Sequence, residues 1–194
     1  MTRRINLKAT VSLLAALACA VVPLGMEACG AESPSLEYQV KAACLYNFAK
    51  FVDWPPRVFA DQNSPIVFGI LGEDPFGNAL EAIIKNKTIN GRTLIIKRSR
   101  RVEDLKDCHI LFISRSEQAH DAQILKSLAG LSILTVSDTE EFVAEGGIIS
   151  FKMQNNKVRF EVNVATAQRA ALKISSELLD LAIAVRSTHP EKDG

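Results

Sequence analysis

The chain has 194 residues, with 23 lysines and arginines against 22 aspartates and glutamates, so its formal net charge at pH 7 is only +1. The chain therefore lacks the strong overall positive charge that is expected of a nucleic-acid-binding protein. Hydrophobic residues make up 47% of the sequence, and a chain of this length can bury the full core of one ordinary domain.

The N-terminus has the order of regions found in a secretory signal peptide. Three basic residues come first, an apolar run over residues 9–22 follows, and small residues come next. We expect residues 1–31 to be removed on export, leaving a domain over 32–187 and a flexible tail over 188–194. The apolar run is shorter than the roughly 20 residues of a membrane span, so no span is expected after processing. A retained membrane anchor is the alternative.

The four cysteines leave two questions open. Cys19 and Cys29 precede the expected cleavage site, and lipidation at one of them is an alternative, although Glu27 fits a lipoprotein signal poorly. Cys44 and Cys108 remain in the mature chain. An oxidising compartment permits a disulfide between them, and two buried thiols are the alternative, because the sequence does not give the distance between their Cα atoms.

The first predicted element is a helix from residue 36 to about residue 54, ended by Pro55 and Pro56. At 100° per residue its apolar side chains cover roughly 200° of the circumference, wider than the ~100° stripe that packs on one core. Only Glu37 and Lys41 interrupt this apolar arc. The surplus apolar surface is covered either by another element of the same chain or by a partner protein.

Short apolar runs separated by turns follow, and they predict a parallel sheet. We expect strands at IVFGIL, RTLIIKR, HILFIS and SILTVS, with helices at NALEAIIKN, VEDLKDC and SEQAHDAQILKSLAG. Ser114 and Glu117 have capping-box spacing, and Gly130 lies where a C-cap glycine belongs. Apolar runs that alternate with helices indicate an α/β fold, a single domain whose mostly parallel sheet carries helices on both faces.

The C-terminal part has a different pattern. The segment IISFKMQNNKVRFEVNV predicts a β-hairpin whose Asn-Asn turn tolerates positive φ, and a final helix is predicted from about residue 165 to residue 186. Along the second strand of the hairpin, Arg159, Glu161 and Asn163 alternate with apolar residues, so one strand face is polar. This polar face is either a solvated strand face or a recognition surface.

Sequence patterns of catalysis and metal binding are lacking. The glycines after the first strand do not have GxGxxG spacing, and Glu73 and Asp74 place negative charge where a phosphate needs donors. The three histidines have no metal-ligand spacing, and no GxSxG, CxxC or EF-hand motif is present. Ser114 and His109 are the nucleophile and the base that we would name for an unrecognised hydrolase. We expect no enzyme activity, no cofactor and no metal.

A small-molecule sensor is a second interpretation. Ligands of parallel α/β sheets bind beyond the carboxyl ends of the strands. An envelope-derived ligand would then contact the turn after the first sheet strand and the start of the helix after HILFIS. The expected pocket residues are Gly72, Asp74, Phe76 and Ser114.

Six motifs occur in a specific order along the chain, namely NFAKFVDWP, FGILGEDPFG, HILFIS, ILTVSDTEEFVAEGGIISF, KVRFEVN and ISSELLDLA. In this order they resemble the YfiR-like family of small exported bacterial proteins, from about Tyr38 to Ala184. The resemblance implies a periplasmic regulator without an active site. It would hold the periplasmic region of an inner-membrane, YfiN-like diguanylate cyclase inactive, and so lower cyclic dimeric GMP and biofilm formation.

The resemblance also indicates where this chain departs from its relatives. The better-known members carry additional disulfide-bonded cysteines; Cys108 matches one of them, but Gly69 stands where its partner is expected, and the cysteines around the GG turn are absent. A homodimer is an alternative assembly. The partner surface is expected on the first helix and the hairpin, at Tyr46, Phe51, Trp54, Phe151, Arg159, Glu161 and Asn163, with a core position as the alternative for the second and third of these.

Overall fold

The computed structural model describes residues 35–187. The predicted signal peptide over 1–31, the lipidation alternatives at Cys19 and Cys29, and the predicted flexible tail over 188–194 lie outside these residues. The strands are β1 (Val52–Asp53), β2 (Ile66–Leu71), β3 (Thr88–Ile89), β4 (Arg92–Ser99), β5 (Ile110–Ile113), β6 (Leu134–Ser137), β7 (Ile149–Gln154), β8 (Lys157–Asn163), β9 (Lys173–Ile174) and β10 (Ala184–Arg186). The α-helices are α1 (Leu36–Lys50), α2 (Ala79–Ile84), α3 (Asp121–Ser127), α4 (Val164–Arg169) and α5 (Ser176–Leu179), and short 3₁₀ helices occur at Pro56–Val58, Val102–Leu105 and Arg115–His120.

Eight of these strands form one sheet, in the order β10-β8-β7-β6-β5-β2-β4-β3. The strands β4, β2, β5, β6 and β7 pair in parallel, and β10 adds in parallel to β8. The strands β7 and β8 form the predicted antiparallel hairpin, in which Asn155 and Asn156 have φ of 50° and 56°. The predicted α/β fold with a mostly parallel sheet is confirmed.

Two hydrophobic clusters cover the two faces of the sheet. Alternate residues of β2 point to opposite faces, so Phe68 joins the larger cluster and Val67 joins the smaller one. The helix α1 packs on the larger cluster through Phe48, and α3 packs on the smaller cluster through Ile124. Helices therefore shield both faces, which is why the parallel strands are apolar on consecutive positions.

The first helix is shorter than predicted, because it ends at Lys50 rather than near Trp54. Its end is capped by the backbone N–H of Phe51, which donates to carbonyls in the last turn. The two residues of β1 then pair with β9, Val52 opposite Ile174. This pairing replaces the last predicted helical turn with an extended strand.

The prediction of one continuous helix over 165–186 is wrong. The helix α4 ends where Ala171 adopts a positive φ of 57°, and β9 then pairs with β1. Ser175 starts the short α5 by accepting a hydrogen bond from the backbone N–H of Leu178. The following segment forms β10 on the free edge of β8. Hydrogen bonds to two strand edges outweigh the helical preference of an alanine-rich segment.

The possible disulfide between Cys44 and Cys108 is not formed, and both thiols are free, as in the alternative of two thiols. Cys44 packs against the larger hydrophobic cluster, while Cys108 belongs to the smaller one, so the sheet lies between them. Burial raises the pKa of the Cys44 thiol, and it raises the pKa of Cys108 to about 12. Neither thiol is therefore primed to react as a thiolate.

Candidate functional site

Two residues of the predicted partner surface are buried, which corrects that part of the prediction. Phe151 is 2% exposed and stacks on Phe48, with ring centroids 5.6 Å apart. Asn163 is 1% exposed and caps α4, where its side-chain oxygen accepts from the N–H of Thr166 at 2.9 Å. Neither side chain is available to a partner, because one belongs to the core and the other holds a helix start.

The aromatic residues of the first helix and its exit are half-buried. Tyr46, Phe51 and Trp54 pack against the larger cluster, and the indole N–H of Trp54 donates to the carbonyl of His109 at 3.2 Å. The large hydrophobic residues of α1 that stay exposed are Leu36 at 75% and Val40 at 41%. The surplus of the apolar arc is therefore covered mainly by the same chain.

The outer face of the hairpin and β10 carries a concentration of positive charge. Lys152 lies directly opposite Arg159, and Arg186 of β10 lies opposite Asn163, so their side chains share one face of the sheet. We call this the basic face; its charged members are Lys152, Lys157, Arg159, Arg186 and the single carboxylate Glu161. None of its four cations forms an ion pair within residues 35–187. Like charges directly opposite each other destabilise a sheet, so folding alone does not favour this arrangement.

The four residues predicted for a ligand pocket are packed around the turn after β2. Phe76 is fully buried, with its ring 4.7 Å from that of Phe112. Asp74 accepts from the N–H of Phe76 and pairs with Arg98 at 2.6 Å. The Oγ of Ser116 would lie only 2.4 Å from a Cβ at Gly72.

Ser114, the last of the four predicted pocket residues, also hydrogen-bonds to the local backbone. Ser114 is buried and starts the 3₁₀ helix Arg115–His120, where its Oγ accepts from the N–H of Ser116. Phe76 has no exposed surface for a ligand. Asp74 and Ser114 hydrogen-bond to the local backbone, and Gly72 leaves no room for a side chain. The structure thus gives these residues a packing and capping role.

A cavity of about 460 Å³ lies beyond the carboxyl end of β6, beside the hairpin. Its lining includes Lys41 of α1, Asp138 after β6, and Glu161 of the basic face. The hairpin extends past the end of β6, since β6 pairs with β7 only as far as Ser137 opposite Ser150. This overhang provides one wall of the cavity, and the start of α1 provides another.

A buried ion pair lies at this cavity. Lys41 is 1% exposed, and its Nζ lies 2.6 Å from Oδ2 of Asp138 and 2.5 Å from Oε1 of Glu37. The hydroxyl of Tyr38 donates to the same Asp138 oxygen at 2.8 Å. Burial and the neighbouring Asp138 raise the pKa of Tyr38, so this hydroxyl remains a donor at neutral pH.

The second carboxylate oxygen of Asp138, Oδ1, lacks the partners that Oδ2 has among the described residues. The Arg115 guanidinium donates to the backbone carbonyl of Asp138 at 3.0 Å, but Oδ1 of Asp138 has no hydrogen-bond donor among residues 35–187. A buried charge is stable only when its hydrogen bonds are satisfied, so this atom is costly as it stands. Sequence reasoning missed the pair, although Lys41 within the apolar arc was a signal of it.

Residues 35–187 offer neither a cluster of three or more metal-ligating side chains nor a helix long and apolar enough to cross a bilayer. The sequence-predicted base His109 is buried, and its Nδ1 accepts the N–H of Val67 at 3.1 Å. Burial, with a smaller effect from Arg92, lowers its pKa to about 4. It is a neutral core residue rather than a general base.

Comparisons with known proteins agree with this architecture. The model of the DUF4154 family, described as YfiR/HmsC-like, matches residues 38–183. No curated protein matches the chain significantly. Among solved structures, a conserved domain protein of Vibrio cholerae O1 biovar El Tor is 9% identical, with a TM-score of 0.52. The ABC domain of a Streptococcus pneumoniae protein, solved in complex with L-Trp, is also 9% identical, with a TM-score of 0.51. Each match covers 77% of this chain and 60% of the solved chain, and at this identity it shows the fold alone.

Proposed function

The chain belongs to the YfiR/HmsC-like family, and on this premise we propose that it is a periplasmic regulatory protein that represses an inner-membrane diguanylate cyclase. It would bind the periplasmic region of the cyclase and hold it inactive, which lowers cyclic dimeric GMP in the cytoplasm and limits biofilm formation. The proposal assigns the chain no catalytic step of its own.

Repression by binding requires a difference in affinity between two states of the partner. A bound regulator shifts an equilibrium only by the amount to which it prefers the inactive conformation. Coupling free energies in such switches are about 1 to 3 kcal/mol, a factor of roughly 5 to 150 in the equilibrium. A modest number of contacts can therefore supply the effect.

The observation that carries the proposal is the basic face. Arg159 and Lys157 are exposed, and neither has an ionic partner among the described residues. Their positive charge would be complementary to an acidic segment of a partner, and such complementarity steers encounter and sets specificity. We place the partner contact here, with Glu161 at its centre, and expect the partner to present carboxylates.

Tyr46, Phe51 and Trp54 contribute to this proposal less than the hairpin does. Since all three pack on the larger cluster, a partner could contact only their exposed edges. Leu36 and Val40 are the residues of α1 with apolar surface to offer. We therefore propose that a partner contacts the first two turns of α1 rather than its exit.

The test is a double charge reversal, Lys157→Glu with Arg159→Glu, expressed in a strain that lacks the native gene. We expect cyclic dimeric GMP to rise to the level of the deletion strain, because the acidic partner is repelled. Lys106→Glu is the matched control, since Lys106 is also exposed but lies in the segment before β5. Melting temperatures of the three proteins should agree within a few degrees.

Binding of the purified cyclase region provides an independent measurement. Affinity should fall as ionic strength rises, because rim charges are screened over about 10 Å at 0.1 M salt. Full repression by a folded double variant would contradict the placement of the surface. An absence of any complex between the wild-type protein and the cyclase region would contradict the function itself.

A further inference from the structure

The cavity beyond β6 is lined by charges of both signs in nearly equal number. Four cations line it, namely Lys41, Arg115, Lys152 and Arg186, and five carboxylates line it, namely Glu37, Asp138, Glu140, Glu141 and Glu161. A bound anion would therefore face five carboxylates, and a bound cation would face four cations. Neither sign of charge gains much from entering this site.

The unpartnered oxygen of Asp138 shows what the site does require. The side chain of Asp138 is 2% exposed, and its Oδ2 already receives Lys41 and Tyr38, whereas Oδ1 receives no described donor. A carboxylate only accepts hydrogen bonds, so a ligand that pairs with this oxygen must supply an N–H or an O–H. Two other charged residues of the cavity lack an ion pair within residues 35–187. The guanidinium of Arg186 is a hydrogen-bond donor, and the carboxylate of Glu161 is an acceptor.

Hydroxyl groups meet both requirements, because each hydroxyl is one donor and two acceptor lone pairs. A ligand with several hydroxyls can donate to Asp138 and Glu161 and accept from Arg186 while carrying no net charge. Met153, which is 50% exposed, adds apolar surface for the ligand's C–H groups. The volume of about 460 Å³ lies in the range of small-molecule sites, roughly 300–1,000 Å³.

We propose that this cavity binds a neutral saccharide through hydroxyl groups that donate to Asp138 and Glu161 and accept from Arg186. The inference does not depend on the proposed repression, since binding can be measured on the purified protein alone. Glu161 and Arg186 also belong to the basic face, so a bound saccharide occupies side chains that a partner would contact.

Isothermal titration of the processed protein with cellobiose, maltose and N,N′-diacetylchitobiose tests the proposal. At least one of the three should bind with a Kd below about 1 mM. Its Kd should change less than about twofold between low and high salt, because no net charge is screened. Succinate, 1,4-diaminobutane and alanine are the comparators for an anion, a cation and a zwitterion, and none of them should compete.

Three variants locate the site. Glu161→Gln should weaken binding about 10-fold, the value of one lost charge-assisted hydrogen bond. Ala144→Phe should abolish binding, since Ala144 lines the cavity and the added ring would occupy it. Asp138→Asn should weaken binding about 10-fold as well. Glu103→Gln, whose side chain lines a different cavity, is the matched control and should bind like the wild-type protein.

If Asp138→Asn unfolds because Lys41 loses its partner, Glu161→Gln and Ala144→Phe decide the question by themselves. Unchanged saccharide binding by both of these folded variants would overturn the proposal. Failure of all three saccharides to bind, or binding of a charged comparator in their place, would overturn it too, whereas either result would leave the repression assay untouched.

Discussion

A cysteine introduced in place of Gly69 should form a disulfide with Cys108. A Cβ at Gly69 would lie 2.7 Å from the sulfur of Cys108 and 3.3 Å from its Cβ, close to the Cβ separation of about 3.5–4.5 Å in disulfides. The two positions face the smaller hydrophobic cluster, on the neighbouring strand β2 and just before β5. The wild-type pair is one glycine and one thiol.

The size of the effect follows from the length of the closed loop. A bridge between Cys108 and residue 69 closes a loop of about 40 residues, and the loss of unfolded-state entropy then amounts to about 4 kcal/mol. The new side chain must also displace Leu111, whose Cδ1 would lie 2.8 Å from the added Cβ. Repacking of this kind costs about 1–3 kcal/mol, so the net gain in the free energy of unfolding should be about 1–3 kcal/mol.

Urea unfolding of the Gly69→Cys variant, with and without reductant, measures this gain, and peptide mapping identifies the bridge. Two controls separate the bond from the added bulk. Gly69→Cys combined with Cys108→Ser has the side chain without the bond, and Gly69→Ala has a methyl group against the Cys108 sulfur; both should be less stable than the wild-type protein. If Cys108 of the oxidised variant still reacts fully with thiol reagents, the geometric reasoning is refuted.

Three further predictions concern buried titratable groups. Lys41→Met should lower the free energy of unfolding by about 3–5 kcal/mol, because Asp138 then stays buried without its cation. Combining Lys41→Met with Asp138→Leu should recover part of the loss. Urea denaturation of the two single variants and the double variant checks this, and additive losses would contradict a direct pair. Burial raises the pKa of Asp121 to about 6, so its ionisation opposes folding as the pH rises from about 4 to above 6. Asp121→Asn should therefore add up to about 3 kcal/mol at pH 7 and little at pH 4, and an equal gain at both pH values would show that charge is not the cause. The lowered pKa of His109 changes stability in the opposite direction. Its contribution to the free energy of unfolding is complete above pH 6.5, and up to about 3 kcal/mol is lost as the pH falls through about 4. His109→Gln should reduce this loss of stability at acid pH, as measured by unfolding curves recorded over a range of pH. An unchanged loss would mean that other groups cause it.

The parallel sheet was predictable because its signals are local. Six consecutive apolar residues at Ile66–Leu71 indicate a strand covered on both sides, and Asn155-Asn156 indicates a hairpin turn; both predictions are confirmed. The end of α1 and the segment after α4 could not be predicted in this way. Each is decided by the pairing of Val52 with Ile174, between positions that no local pattern connects.

The candidate site also has features with a local sequence signal and features decided by distant residues. The alternation of Arg159 and Glu161 with apolar residues correctly indicated a polar strand face, and their exposed or half-buried positions agree with it. The burial of Asn163 was not predictable, because it depends on α4 starting directly after β8. The pair of Lys41 with Asp138 joins residues far apart in sequence, and only the lysine in an otherwise apolar arc pointed to it.

The two-stranded ribbon of β1 and β9 has a consequence for how the molecule is completed. The exit of α1 is fastened to a segment that the ribosome makes more than a hundred residues later, since Val52 meets Ile174. Contacts of such long sequence separation form late and slow the folding of a domain. A nascent chain therefore lacks the strand that pairs with the exit of α1 until almost the last stretch has been made, and during that interval proteases and chaperones have access to apolar surface that the folded protein hides.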